Sequence, residues 1–117
     1  MSESPTTLDP EDAKIVTLAR ATRARTGAAE GAAVRDTDGR TYAAATVALP
    51  SLQVSALGVC VAMAVSSGSR GLEAAVLLSD RAQVSPLDLD VLRDFAGPGV
   101  TVHVGDPRGT VSSSTTT

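Results

Sequence analysis

The stretch "LEAAVLLSD", Leu72 to Asp80, is nearly continuous in apolar side chains and has the length of one strand. A strand of that kind has no face left for water, so it belongs at the centre of a sheet covered on both sides. The rest of the chain must supply the cover, and its sequence offers helices to do so.

"DPEDAKIVTLARATRAR" carries a helix start, with Asp9 placed to cap, Pro10 in the first helical position and Asp12 set to reach back to the cap. Ile15, Leu18, Ala19 and Thr22, with Val16 beside them, then follow the 3.6-residue stripe as far as Gly27. In "GAAVRDTDGRTYAAATVAL" an Asp38-Gly39 turn joins two segments rich in Val, Thr, Tyr and Ala, which predicts a hairpin. Its alanines weaken that reading, because Ala favours helix over strand. Pro50 and Ser51 break the second segment. "SALGVCVAMAVSSG" predicts a second helix with Leu57, Cys60, Val61, Ala64 and Val65 on one face. "SPLDLDVLRDFAG" predicts a third, with Ser85 as cap, Pro86 first, Asp88 in the reciprocal position and Leu89, Leu92 and Phe95 inward. "GVTVHV" is the last clear strand, and "GDPRGT" is a turn. The order helix, hairpin, helix, strand, helix, strand predicts an α/β domain of layered helices on a mixed β-sheet. Its expected limits are residues 9–109, between a flexible leader over 1–8 and a disordered tail over 110–117.

A chain of 117 residues supports one such core. Tyr42 and Phe95 are its only aromatics, so the core is built from Ala, Val and Leu. Small side chains bury little area each, which leads us to expect self-association. The net charge is −3, and Arg23, Arg25, Arg35, Arg40 and Arg70 are dispersed rather than clustered. That pattern speaks against tracking a phosphate backbone, and the scarcity of aromatics speaks against stacking bases, so no nucleic-acid partner is expected. A single cysteine leaves no intramolecular disulfide. The segment "MSESPTTLDPED" is acidic and polar where a secretory signal is basic and then apolar, and no apolar run approaches the roughly 20 residues of a membrane span. A cytoplasmic setting without a membrane partner is the expectation.

The chemically distinctive side chains are few. Cys60 lies mid-helix on the apolar face with no histidine nearby in sequence, which suits a packed core residue better than a nucleophile. His103 is the only histidine. Alternation places it on the face opposite Val102 and Val104, toward a subunit interface or a helix layer, and it cannot form a triad alone. Asp88, Asp90 and Asp94 read as a cap and a solvated helix face, since only Asp90 and Asp94 share a side.

"GAAVRDTDGRTY", "AMAVSSGSRGLEAAVLL" and "VLRDFAGPGVTVHVGDP", in this order and spacing, resemble the cytidine deaminase family over roughly Asp12 to Pro107. The resemblance implies a cytidine deaminase-like fold. In active members, zinc and a glutamate replace the amino group of cytidine by water; the second helix opens with a histidine or cysteine, an alanine and that glutamate, and the third with two cysteines two residues apart. The physical reason is that thiolates and metal-bound hydroxide gain from two helix N-termini, while the glutamate shuttles protons.

Laid on this chain, the first ligand position falls on Ser55 and the glutamate on Leu57, while the cysteine pair falls on Ser85 and Asp88. Hydroxyls are poor zinc ligands and a leucine carries no proton, so the expectation is no zinc, no other cofactor and no catalytic residue. The ribose-contacting asparagine and glutamate correspond to Thr46 and Ala48, the ring-stacking phenylalanine to about Ala28, and Glu30 stands at the mouth of the old pocket. These four are the expected pocket lining. The reading is a catalytically inactive homologue that acts by self-association, as the dimer or tetramer that the resemblance implies, or by binding a protein partner or small ligand. The alternatives are a family hydrolase with an atypical site acting on a cyclic amidine, and a nucleoside binder without turnover.

Overall fold

A computed structural model describes residues 8–81 and 83–117. Helix α1 spans Pro10–Thr26, followed by the antiparallel strands β1 (Gly31–Asp36) and β2 (Thr41–Ala45) and a small hairpin, β3 (Val47–Leu49) and β4 (Leu52–Val54). Helix α2 (Ala56–Ser66), strand β5 (Leu72–Leu78), helix α3 (Pro86–Ala96) and strands β6 (Thr101–Gly105) and β7 (Val111–Thr116) complete the order. The large sheet runs β2-β1-β5-β6-β7, antiparallel except for the β5–β6 pair. It is therefore a mixed sheet, with the apolar run Leu72–Leu78 at its centre.

Alternation along β1 and β5 divides the core in two. Ala32, Val34, Ala75 and Leu77 face α2 and α3, packing with Leu57, Cys60, Val61 and Leu92. Ala33, Ala74, Val76 and Leu78 face α1 and pack with Ile15, Val16 and Ala19. The small side chains let α1 come close to β1. At Gly31 a Cβ would stand 2.5 Å from the Ala19 carbonyl oxygen, so this position accepts no side chain.

Three sequence expectations change. Asp9 does cap α1, accepting the Glu11 N–H at 2.8 Å, but Asp12 does not reach back to it. Its carboxylate instead accepts from Arg35 Nη1 and His103 Nε2, each at 2.8 Å, tying α1 to β1 and β6. A carboxylate can only accept, so His103 carries its proton on Nε2, and its Nδ1 is buried without a partner. Second, the segment Val47–Leu49 is not the end of the Asp38-Gly39 hairpin. It turns at Pro50-Ser51 and pairs with Leu52–Val54, so these residues form a turn where the sequence suggested only a break. Third, residues 110–117 are no disordered tail. Val111–Thr116 pairs antiparallel with β6 over the turn that Asp106 closes by accepting the Arg108 and Thr110 N–H groups. Thr117 then accepts the Val100 N–H and donates its hydroxyl to the Gly97 carbonyl. An open β6 edge presents unpaired backbone groups, and satisfying them orders a segment whose polar side chains gave no apolar pattern. The expected leader lies outside the described residues except for Leu8, which packs on the α1 core.

Asp36, fully buried at the end of β1, accepts a hydroxyl from Ser69 and the N–H groups of Asp38 and Arg40. The Ser69 bond, with those backbone bonds and the Arg40 charge, outweighs burial and holds its carboxyl below the usual aspartate value. Burial raises the Asp12 carboxyl, but the hydrogen bonds and charges of His103 and Arg35 outweigh it, so Asp12 is also lowered. A carboxylate lowered on folding stabilises above its unfolded value of about 3.9, and that contribution is lost as pH falls through the folded value. Asp12→Ala is therefore expected to cost about 1–3 kcal/mol at neutral pH, because it leaves two donors without their acceptor. The difference from the parent should shrink on acidification. Urea unfolding of both proteins at neutral pH and below the ordinary aspartate range checks it; a gap that widens in acid contradicts it.

Candidate functional site

The site grows from the carboxyl end of β5, the kind of place where open α/β sheets bind their ligands. Leu78 is paired with Gly31, so the residues just before β1 meet those just after β5. Thr46 extends that register: its hydroxyl accepts the Glu30 N–H at 3.0 Å, and its own N–H donates to the Glu30 carbonyl. Helices α2 and α3 both begin at this end. Ser55 caps α2, accepting the Gly58 N–H at 3.0 Å, and Ser85 caps α3, accepting the Asp88 N–H at 3.2 Å.

Between them lies a cavity of about 310 Å³, walled by Glu30, Ser55, Leu77, Arg81, Gln83, Ser85, Pro86 and Asp88. A second cavity of about 290 Å³ shares Glu30 and Arg81 and adds Ala29, Thr46, Ser79 and Asp80. Asp88 is buried, and its Oδ1 accepts the Ser55 hydroxyl at 2.6 Å across 33 residues of sequence. This differs from the expected capping box, in which its carboxylate would turn back to its own helix. The structure thus brings together Glu30, Ser55, Ser85 and Asp88, with Thr46 in the adjoining space.

Leu57, Ala28 and Ala48 are not brought there. Leu57 is 1% exposed, within the core formed by α2, α3 and the sheet. Ala28 lines neither cavity and offers its carbonyl to Arg23 Nε, while Ala48 sits exposed on β3. Of the pocket lining drawn from the sequence, Glu30 and Thr46 wall these cavities while Ala28 and Ala48, the latter paired with Gln53 in the β3–β4 hairpin, do not. Arg81 and Gln83 were missed. Their signal was positional: both follow the central strand, where loops at carboxyl ends face ligands.

Cys60 is fully buried, and burial pushes its thiol up to about 12, so it stays protonated and unreactive. Asp90 reaches Arg93 at 3.7 Å on the exposed side of α3 and stands apart from Asp88.

The zinc that the resemblance implies does not suit these donors. Ser55 and Ser85 present neutral hydroxyls whose lone pairs already cap helices, and one Asp88 oxygen is held by Ser55. Among the described residues no group of three or more His, Cys, Asp or Glu side chains is placed to hold a metal ion. Leu57, where the resemblance places the proton-carrying glutamate, is buried in the core.

The family model described as cytidine deaminase-like matches residues 8–109. Among solved structures, the cytidine deaminase of Mycobacterium leprae is similar with a TM-score of 0.71 at 18% identity, over 89% of this chain and 93% of that one. The Burkholderia pseudomallei cytidine deaminase gives 0.75 at 20% identity, over 87% and 89% of the two chains. The Mycobacterium tuberculosis cytidine deaminase gives 0.69 at 22%, over 80% and 85%. No curated protein sequence matches the chain. Matched over residues 8–109 and sharing the architecture of those structures, this chain belongs to the cytidine deaminase-like family.

Proposed function

We propose that this protein is a catalytically inactive cytidine deaminase homologue that acts by binding. The observation that carries the reading is Leu57: the proton carrier of the family chemistry is replaced by a side chain locked into the core, beside donors unsuited to zinc. The open cavity over the two helix starts supports a small ligand as one object of binding, a nucleoside being the first probe. Self-association is supported by Leu49 and Leu52, which pair across the β3–β4 hairpin and are each more than half exposed. Light scattering on the purified protein tests it, with a monomer at all concentrations as the contrary result. The unpaired cysteine supports a cytoplasmic setting.

The expected outcome is near-zero zinc by elemental mass spectrometry of protein purified without a metal-affinity tag or chelator, and no uridine formed from cytidine after zinc addition. A thermal-shift or NMR titration with cytidine and uridine then reads binding apart from turnover. About one zinc per chain together with uridine production overturns the reading.

A second reading, a hydrolase with an atypical site, is favoured by one observation: Glu30 and Ser55 wall the same cavity. It requires measurable hydrolysis that Glu30→Gln abolishes, whereas under the first reading Glu30→Gln alters only ligand binding.

A further inference from the structure

We propose that a second binding site lies on the α1 side of the sheet, between α1 and the turn joining β6 to β7, and takes a small phosphate monoester that carries an apolar group. A cavity of about 330 Å³ opens there. Ala13, Val16, Thr17 and Arg20, spaced as one stripe of α1, form one wall, and Arg108 and Gly109 of the turn form the other. The cavity shares no residue with the two around Glu30 and Arg81. The proposal therefore goes beyond the binding reading and stands whether or not those cavities take a ligand.

The charge at this cavity is unbalanced, in a chain whose net charge is −3. Among the described residues neither Arg20 nor Arg108 makes an ion pair, and the nearby carboxylates are engaged elsewhere. Asp9 caps α1, Glu11 pairs with Lys14, and Asp12 holds Arg35 and His103. Asp106 turns its Oδ1 to the N–H groups of Arg108 and Thr110, not to a guanidinium. The packing keeps the two arginines together. Gly109 has φ +94°, and a Cβ there would stand 3.1 Å from Arg20 Cδ, so the glycine lets the turn that carries Arg108 lie against the Arg20 stem. Guanidinium forks match the oxygens of an oxyanion. A phosphate monoester, with a charge of about −1.5 to −2 at neutral pH, balances two of them where a carboxylate balances one. Leu8, Ala13 and Val16 give the lining its apolar part, and the volume, at the low end for small-molecule sites, selects a small ligand.

The test is an NMR titration of the isotope-labelled full chain with phenyl phosphate, with benzoate as the singly charged comparison. Saturable amide shifts are expected at Thr17, Arg20, Arg108 and Gly109, with benzoate binding more weakly. Both arginine side chains are exposed, so Arg20→Gln and Arg108→Gln should fold, which circular dichroism checks. Each is expected to weaken phenyl phosphate at least about tenfold, and the pair together to remove saturable binding. Arg20→Lys and Arg108→Lys, which keep the charge and lose the fork, give a second measurement and should fall between parent and Gln variants. Arg25→Gln, exposed on α1 and outside the cavity, should leave the affinity unchanged. The proposal is overturned by an absence of saturable shifts, by an affinity that survives loss of both arginines, or by shifts confined to Ser55, Arg81 and Asp88. Benzoate binding as tightly as phenyl phosphate overturns the phosphate assignment. So does binding seen only with phosphatidylcholine vesicles containing phosphatidic acid, which would place the phosphate on a lipid surface.

Discussion

Leu57→Glu, the substitution that rewrites the family glutamate into this chain, is expected to destabilise the protein by about 3–5 kcal/mol and to give no deaminase activity. Leu57 lies among Ala56, Cys60, Val61 and Leu92 in the core and walls neither cavity at the sheet end. A carboxylate there loses the leucine's packing and enters a region that offers it no cation, so it carries a desolvation penalty with nothing to offset it. Set against a total stability of about 5–15 kcal/mol for a domain of this kind, the loss is large enough to leave a sizeable unfolded fraction in mild urea. Leu57→Met, which keeps the apolar volume, should cost less than about 1.5 kcal/mol and serves as the comparison. Urea unfolding followed by circular dichroism measures both. Were Leu57→Glu as stable as the parent, the side chain at this position would have to reach the cavity, and the core assignment would fall.

Gly31→Ala is the second large effect, and it is steric. The added Cβ meets the Ala19 carbonyl oxygen at 2.5 Å and Arg23 Cβ at 2.6 Å. Neither the helix backbone nor the strand yields easily, because Gly31 is paired on one side with Ala45 and on the other with Leu78. Helix α1 must lift off the sheet, loosening Ile15, Val16 and Ala19 from their packing. A cost of about 3 kcal/mol or more is expected, at the upper end for overpacking, seen as a fall in Tm well beyond about 5 °C. Gly71→Ala is the control, since a Cβ there meets only Thr37 Cγ2 at 3.6 Å, an ordinary contact. It should change stability by no more than about 0.5 kcal/mol. Equal effects at the two glycines would mean that α1 does not rest on β1 as closely as described.

These two positions also show how differently sequence and structure spoke. Leu57 was legible as a problem for catalysis once the family resemblance aligned it, and the periodic face containing Cys60 and Val61 already marked its side of α2 as inward. Gly31 carried no such mark. Its requirement arises from a helix twelve residues upstream packing across it, a distance relation that no local pattern encodes. The same holds for Asp12. Its position three residues past Asp9 fits a capping box, and local reasoning cannot know that Arg35 and His103, far along the chain, present better donors. Ser69 and Asp36 carry no mark in the sequence, because a buried polar cluster has, residue by residue, the composition of an ordinary turn.

By itself, the sequence determined the elements whose signals are local. The caps Asp9 and Ser85 set the starts of α1 and α3, the apolar period from Leu57 to Val65 set α2, the Asp38-Gly39 turn set the first hairpin, and the apolar run Leu72–Leu78 set the central strand, because each depends on hydrogen bonds or side-chain periods within a few residues. That Ser55, Leu57, Ser85 and Asp88 carry neither sulfur nor a glutamate is likewise a matter of residue identity, and their correspondence to the family's site positions is what the resemblance implies. Only the tertiary structure decided that Ser113 and its neighbours become a strand, since that depends on an open β6 edge to pair with. It likewise decided that Asp88 turns to Ser55 and that Glu30 and Arg81 close one cavity, because a side chain's partner is chosen by the groups that folding brings within reach.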